Sequence, residues 1–582
     1  MFSIFFASAV FICITSQVKA YDEFKVIKTS NGEVRGLRNT TLFKNIPFYS
    51  YKGIPYAKPP IGELRFKAPE PVESWNGILD AFDHGDMCIQ PSIFWPVSFS
   101  QSENCLTLNI YVPAEVKTNE KLAVLFFIHG GGFTDGSYHD DVYGPDFLLE
   151  KETILVTINY RLGLLGFLSL DTPEYSGNMG LKDQQLALEW ISKNIGHFGG
   201  DNKRITLFGH SAGGASTHYH ILSSESRKYF RNAIPMSGSV LNYWALSPEK
   251  NHLSRIYRIL KEELDEPKNS FEELLAFLKE APAKLFNKFS TIEVYNYVRY
   301  TVPFGPIVER KDAIRPFILE SPEKLYKTSK INVDTMFSLT NLEAMSLIPK
   351  TPASLLNALN ANFNLPLPFN TIDLPLESDE HYNLSNQIRN FYFGDAKIDE
   401  QAIPKFFEYV SDFNFALGID KSIKLHAKHT TAKSYYLWFS VDSTLNLFKR
   451  FDIFKRGDVL ELPGAAHADD LCYLFRCGAA QSYYDQIIEN KNDDQSKINF
   501  QTIDYITKLY TNFAKYGKPT HQNDPVSGFK PIHNEDIHFL DVNNDGLTTG
   551  LKPHQKVFDF WSNIEKQAKQ AIQHVKQKRD EL

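Results

Sequence analysis

The stretch Ile205-Thr206-Leu207-Phe208-Gly209-His210-Ser211-Ala212-Gly213-Gly214 runs from an apolar segment into a serine framed by glycines. Continuous rather than alternating apolar runs fit strands buried on both faces. Gly209 and Gly213 stand two residues before and two after Ser211, so the chain can bend tightly enough to project the hydroxyl from the end of a strand. The small residues after the serine suit a helix start. The stretch reads as strand, sharp turn and helix, with Ser211 at the bend.

Upstream, Leu122 to Ile128 and Thr153 to Asn159 are two further continuous apolar runs. Between the second of these and the serine stretch, Asp183 to Ile195 carries Ala187, Trp190, Ile191 and Ile195 at helical spacing, and Asp183 stands where a helix start favours an acid. Strand, helix and strand in succession form a βαβ pattern, which predicts an α/β fold with a parallel sheet between helices. The first hundred residues are turn-rich, and helical stretches such as Leu253 to Leu264 and Phe271 to Leu278 come after the serine.

At 582 residues the chain is long for one domain, but no repeat or linker marks a second, and large α/β folds reach this size. Hydrophobic residues make up 43% and charged residues 23%, so a sizeable core can form. A formal charge of -7 with no basic stripe argues against a nucleic-acid partner.

Phe2 to Ile14 form an apolar run too short to span a bilayer comfortably, and Val18 and Ala20 come next with the spacing of a cleavage site. Residues 1–20 therefore read as a signal peptide, although no Lys or Arg precedes the run and an uncleaved anchor is the other reading. No later stretch suits a membrane helix, so stable membrane insertion is not expected. The chain ends Arg579-Asp580-Glu581-Leu582, one residue away from the Lys-Asp-Glu-Leu retrieval signal. That predicts retention in the lumen of the endoplasmic reticulum through a retrieval receptor. Secretion is the alternative, with 565–582 then only a polar, fraying helical tail.

In this oxidising route Cys88 and Cys105 can close a small loop as a disulfide. Cys472 and Cys477 fall on different faces of a continuous helix and are expected to be free thiols. Asn39-Thr40-Thr41 and Asn383-Leu384-Ser385 are glycosylation sequons, with Asn39 and Asn383 as acceptors.

A second glycine motif, His129-Gly130-Gly131-Gly132-Phe133, ends the run at Ile128. Successive glycines let backbone N–H groups converge on one point, and those of Gly131 and Gly132, joined by that of Ala212, predict an oxyanion-binding site. No Gly-Lys-Ser/Thr comes after it to make it a phosphate cradle, and neither cofactor nor metal is expected. A nucleophilic serine on such a turn needs, later in the chain, an acid and then a histidine. Many carboxylates and histidines lie beyond Ser211. His467 stands in a small-residue loop, Gly464-Ala465-Ala466, before an apparent helix from Asp469, but a lone histidine is more often a surface or core residue.

Taken together, these motifs resemble the type-B carboxylesterase and cholinesterase family from about residue 24 to 564. The matching stretches are Tyr51-Lys52-Gly53-Ile54-Pro55-Tyr56-Ala57, Gly62-Glu63-Leu64-Arg65-Phe66, Glu103-Asn104-Cys105-Leu106, Asn159-Tyr160-Arg161-Leu162-Gly163, Asn178-Met179-Gly180-Leu181-Lys182-Asp183-Gln184 and Phe198-Gly199-Gly200-Asp201, with both glycine motifs. The resemblance implies the α/β-hydrolase fold, a large and mostly parallel central sheet flanked by helices, as one domain over 21–564. It implies a serine carboxylesterase acting through an acyl-enzyme on small-molecule esters.

By the same resemblance the acid is Glu343, in Ser338-Leu339-Thr340-Asn341-Leu342-Glu343-Ala344, where the family's usual glycines near Ser338 and Ala344 are missing. The base is His467, in Gly464-Ala465-Ala466-His467-Ala468-Asp469-Asp470-Leu471. The resemblance also supports the Cys88–Cys105 disulfide and an Arg65–Glu103 ion pair. It sets Trp244 either in the acyl pocket or in packing. Trp95 stands ten residues before Cys105, much as the choline-site tryptophan of cholinesterases does, but the different length of the Cys88–Cys105 loop makes it a packing aromatic. His210 before the serine looks like insect α-type carboxylesterases, whereas cholinesterases carry Glu there and juvenile-hormone esterases usually Gln. The other readings are a non-catalytic cholinesterase-like binding or adhesion protein, a lipase, a juvenile-hormone esterase or a cholinesterase. Xenobiotic, lipid and hormone esters all stay open as substrates.

Overall fold

The computed structural model describes residues 22–580 apart from 92–98, 116–119, 248–251, 291–292, 296–298, 347–352, 362, 364–373, 376, 451–461, 522–528 and 534–535. The signal segment 1–20, Trp95 and the last two residues of the retrieval-like end lie outside the described residues.

Seven strands stand side by side and parallel in the order Thr153–Ile158, Leu122–Ile128, Gly200–His210, Asn232–Met236, Asp334–Thr340, Ser434–Phe439 and His538–Asn543. Antiparallel strands extend the sheet at both ends, through Thr107–Pro113, Pro47–Pro55, Glu33–Thr40 and Phe24–Lys28 on one side and Gly546–Leu551 on the other. This is the large, mostly parallel sheet that the sequence predicts.

Every side chain of Leu122–Ile128 is buried, because alternate residues feed cores on opposite faces. Val124, Phe126 and Ile128 pack in the core that holds Ala187, Trp190 and Ile191 of the helix Met179–Asn194. Ala123, Leu125 and Phe127 join Ile503, Ile506, Tyr510 and Phe513 of the helix Asp494–Tyr516. Each large apolar side chain among these contributes about 1.5–3 kcal/mol by leaving water, so the sheet is anchored from both sides. The helix Met179–Asn194 carries the chain past the strand Leu122–Ile128 to its far neighbour, as a parallel crossover requires.

That helix begins four residues before Asp183, which corrects the reading of Asp183 as a helix-start acid. Asp183 is fully buried, and Arg161 grips it through Nε at 2.8 Å and Nη2 at 2.7 Å. Arg65 and Glu103 pair in the same two-pronged way, at 2.7 and 2.6 Å.

Cys88 and Cys105 form a disulfide. Cys472 and Cys477 form a second one, which overturns the expectation of free thiols. In place of a continuous helix there is a single turn, Leu471–Leu474, and Phe475 is extended at φ -118° and ψ 152°. The chain therefore doubles back and brings the two Cα atoms to 5.3 Å.

A third core lies beyond Glu343, where Tyr392 and Tyr409 meet Trp561, Ile564 and Ala568 of the terminal helix Gln555–Asp580. This helix passes residue 564 without a break. Of the two sequons, Asn383 is exposed on the helix Asp379–Phe393. Asn39 is half-buried, and its Nδ2 donates to the Leu37 carbonyl at 3.1 Å and to Ser50 Oγ at 3.0 Å, bonds that must open for a glycan to attach.

Candidate active site

The ends of four adjacent parallel strands meet at one edge of the sheet. Leu122–Ile128 leads into the glycine run, Gly200–His210 into Ser211, Asn232–Met236 into Ser237, and Asp334–Thr340 into the loop of Glu343. Ligands of open α/β sheets bind beyond these carboxyl ends.

Ser211 has φ 59° and ψ -120°, a strained conformation for a residue with a side chain. Its N–H donates to the Met236 carbonyl at 2.8 Å, and its carbonyl accepts from Ala215 N–H at 2.9 Å, so both ends of the bend are fixed. Glycine is required at Gly213 because a Cβ there would lie 2.0 Å from the Ile128 carbonyl oxygen. The helix Ala212–Leu222 opens directly after the serine, leaving the Ala212 N–H without an acceptor in a preceding turn.

The glycine run lies against this bend. A Cβ on Gly130 would stand 3.0 Å from that of Ser211. Gly131 and Gly132 have φ of 106° and 61°, and a Cβ on Gly131 would collide with the Asp135 carbonyl at 1.9 Å. The Gly131 carbonyl takes hydrogen bonds from Thr134 and Asp135. Among the described residues, the N–H groups of Gly131 and Gly132 have no protein acceptor. The three predicted donors thus gather beside one serine.

Glu343 and His467 are brought together as the resemblance implies. Glu343 Oε2 lies 2.5 Å from His467 Nδ1, and the His467 backbone N–H donates to the Glu343 carbonyl at 3.1 Å. The two loops are joined twice more, by Ala465 N–H to Asn341 Oδ1 at 2.8 Å and by Leu342 N–H to the Ala465 carbonyl at 3.0 Å. Glu343 Oε1 accepts from Ser237 Oγ at 2.6 Å and from the Thr340 N–H at 2.9 Å. The glutamate is almost fully buried, and its oxygens are held by three donors. The bond to the acid commits Nδ1 of His467 and fixes the orientation of its ring.

His210, the residue before Ser211, has its ring 4.4 Å from that of His467. Burial, and then the neighbouring His467, push the His210 imidazole well below its ordinary range. A chain of aromatic rings leads away from His467. Phe415 packs 4.7 Å from His467, Trp244 lies 5.9 Å from Phe415, and Phe133, next to Gly132, lies 6.4 Å from Trp244. Trp244 is oriented by its indole N–H, which donates to the Asn414 carbonyl at 2.8 Å. Phe415 and Asn414 lie in a five-residue π-helical turn, Asp412–Ala416, a feature found often at functional sites.

Sequence reasoning does not reach Ser237, Phe415 or Asp470. A signal for Ser237 exists in its place directly after an apolar strand, Asn232–Met236, the same setting as Ser211. Phe415 carries no pattern, since only the tertiary fold sets it against His467. Asp470 is buried behind the site, and burial, with the charges of Glu343 and Asp469, pushes it up to about 8. Among the described residues no cluster of three His, Cys, Asp or Glu side chains could hold a metal ion, and no helix is long and apolar enough to cross a membrane.

Residues 23–561 match the model of the carboxylesterase family. The chain is 32% identical over 535 residues to juvenile hormone esterase of Tribolium castaneum, covering 88% of this chain and 87% of that one. It is 30% identical over 556 residues to esterase B1 of Culex pipiens, covering 93% and 98%. Among solved structures, juvenile hormone esterase from Manduca sexta with OTFP covalently attached superposes with a TM-score of 0.79 at 27% identity, covering 94% of this chain and all of that one.

Proposed function

The chain belongs to the carboxylesterase family and is a carboxylic ester hydrolase, and on that premise we propose that it works through Ser211, His467 and Glu343. Ser211 Oγ attacks the ester carbonyl while His467 Nε2 takes its proton. His467 then returns that proton to the departing alcohol, leaving an acyl-serine. Water, deprotonated by the same nitrogen, releases the acid and restores the serine. Glu343 keeps the proton on Nδ1 and favours the imidazolium that forms at each attack. The N–H groups of Gly131, Gly132 and Ala212 receive the oxyanion, and each such donor stabilises the transition state by about 3 kcal/mol.

The observation that carries this reading is the 2.5 Å pairing of Glu343 Oε2 with His467 Nδ1, with the His467 ring 4.4 Å from that of His210, the neighbour of a serine held at φ 59°. The aromatic wall of Phe133, Trp244 and Phe415 supports an ester with an apolar acyl group, with Trp244 as part of the pocket. Relatives named as juvenile hormone esterases make a lipid-like hormone ester one such substrate. Xenobiotic esters of similar shape are others.

The same proposal assigns the enzyme to the lumen of the endoplasmic reticulum, after removal of residues 1–20 and with retrieval through Arg579 to Leu582. Two disulfides support an oxidising compartment. Deleting 579–582 should move the protein into the medium, and an unchanged distribution would count against retrieval. For the chemistry, wild type and Ser211→Ala are compared on aryl esters of increasing acyl length. The wild type is expected to exceed the variant by about 10⁴-fold or more in kcat. No excess on any ester would sink the assignment of Ser211.

A further inference from the structure

A cleft far from Ser211 is left unused by this chemistry. Two of its residues, Glu150 and Lys151, stand just before the strand Thr153–Ile158, whereas Ser211, the glycine run and Glu343 lie after the opposite ends of the parallel strands. The cleft encloses about 490 Å³, a volume typical of small-molecule sites. Its walls are apolar. Phe43 stacks on Phe147 at 5.2 Å and meets Phe500 edge-on at 5.6 Å, with Ile487 and Ile503 alongside. Phe500 is 48% exposed, so part of the aromatic wall faces water.

The charges at its rim are unequal. Glu150 Oε1 is occupied by the backbone N–H groups of Phe43 and Lys44, at 3.1 and 2.9 Å. Asp504 pairs with Lys151, and Lys497 pairs with Asp494 at 3.2 Å. Lys44 and Lys491 line the same cleft, are exposed, and have no acidic partner among the described residues. A mostly apolar cleft lined by four lysines against two acids, Glu150 and Asp504, with Lys44 and Lys491 lacking an acidic partner among the described residues, suits an apolar body ending in one negative group. A neutral hydrocarbon would make no use of the lysines, and a polyanion would bring more charge than two lysines balance and would find no polar floor.

We infer that this cleft is a second binding site, for a long-chain carboxylate, with the alkyl chain against Phe43, Phe500 and Ile503 and the carboxylate between Lys44 and Lys491. The site is independent of the reaction at Ser211, although such acids are the kind that hydrolysis of a fatty ester releases. A single chain entering a concave slot, rather than docking on a bilayer surface, is the occupant the shape favours.

The test is calorimetric titration of the full-length protein with dodecanoate and, separately, with dodecanol. Wild type should bind dodecanoate saturably. The double variant Lys44→Ala/Lys491→Ala should bind it about tenfold more weakly, the loss of charge-assisted contacts, with dodecanol affinity unchanged. Phe500→Asp should abolish binding of both at this site. All variants should hydrolyse a short aryl ester at the wild-type rate, which shows that they fold and that any dodecanoate held near Ser211 is unaffected. Dodecanoate affinity that is equal in wild type and both variants would overturn the inference. So would lysine-dependent co-sedimentation with phosphatidylserine vesicles in the absence of saturable dodecanoate binding, which would make the cleft a membrane contact instead.

Discussion

Asp183 and Glu343 are both buried carboxylates beside the same sheet, yet they are satisfied in opposite ways. Asp183 faces a permanent cation. Arg161 supplies Nε, Nη2 and its own backbone N–H, at 2.8, 2.7 and 3.1 Å, in a planar fork that cannot give up its charge. Lys182, the preceding residue, is tied similarly to the fully buried Glu309 at 2.7 Å. Glu343 instead faces an imidazole, with two neutral donors, Ser237 Oγ and Thr340 N–H, on its other oxygen. The first arrangement has one electrostatic state and serves as a rivet. The second has an imidazole for a partner, the kind of group that the proposed mechanism uses to pass a proton. Burial alone therefore does not separate structural from reactive carboxylates. The chemical nature of the partner does.

Replacing each acid by its amide should damage the two regions differently. Glu343→Gln keeps the shape but reverses the hydrogen-bond preference at Nδ1, so kcat on an aryl ester should fall by about 10⁴-fold, near 5 kcal/mol of transition-state stabilisation. Its melting temperature should change little, since the Ser237 and Thr340 donors keep an acceptor. Activity retained within tenfold would remove Glu343 from the proposed mechanism. Asp183→Asn leaves the Arg161 cation buried without its counter-charge. It should destabilise the fold by about 3–5 kcal/mol in denaturant titration, with kcat per folded molecule unchanged. A catalytic defect in that variant without loss of stability would erase the distinction.

A smaller effect tests the inside of the reactive region. Ser237→Ala removes the 2.6 Å donor to Glu343 Oε1 and leaves Thr340 N–H in place. Loss of one hydrogen bond to a charged group is worth about 1.5–3 kcal/mol, so kcat should drop roughly tenfold or somewhat more, with KM unchanged. Ser237→Thr, which keeps the hydroxyl, should recover most of the rate. A change confined to melting temperature would make Ser237 a packing residue.

The two regions also differ in how far the sequence discloses them. Ser211, Gly131 and Gly132 announce themselves because their backbone demands are local: a positive φ or a close approach admits only small neighbours, and that leaves a readable string. The parallel strands are legible for a related reason, since burial on both faces forces continuous apolar runs. Glu343 and His467 lie 124 residues apart, and nothing local distinguishes them from other acids and histidines, so only the family resemblance reaches them. Asp183 misleads because an acid near a helix start resembles an acid inside a buried ion pair until Arg161 is placed. The Cys472–Cys477 disulfide escapes because Asp469 onward looks helical, while packing cuts the helix to one turn. Phe415 acts through the third dimension only, and Ser237 leaves no signal beyond its place after an apolar strand.

Asp470 offers a third way to hold a buried carboxylate, and so a finer test of the same contrast. Its partners include neither a fixed cation nor an imidazole, and its Oδ1 has no hydrogen bond among the described residues. Burial, Glu343 and Asp469 push it up to about 8, so in the folded protein it is satisfied by staying protonated. Because the folded value lies above the ordinary 3.8, the folded state binds the extra proton. The stability this confers is complete below about pH 4 and is lost as pH rises through about 8. Asp469, raised to about 7 despite backbone donors, acts in the same sense.

The buried histidines act in the opposite sense. Desolvation holds His129, His252 and His426 down at about 4 and His220 at about 3. Their contribution is complete above about 6.5 and is lost as pH falls toward those values. Thermal melts should therefore show a stability maximum between an acid limb set by the histidines and an alkaline limb set by the acids, the two contributions overlapping between about pH 4 and 6.5. Asp470→Asn, which never ionises, should flatten the alkaline limb: the melting temperature of the variant relative to wild type should be higher at about pH 9 than at about pH 6. Between about pH 4 and 6.5, where protonated Asp470 offsets the histidines in the wild type, the acid limb of the variant should be steeper, and below about pH 4 the two curves should run parallel. A variant that shifts both limbs equally, or that loses its alkaline advantage only when Glu343 is also replaced, would show that the proton belongs to the pair of acids rather than to Asp470, and the contrast would then be between a riveted carboxylate and a shared one.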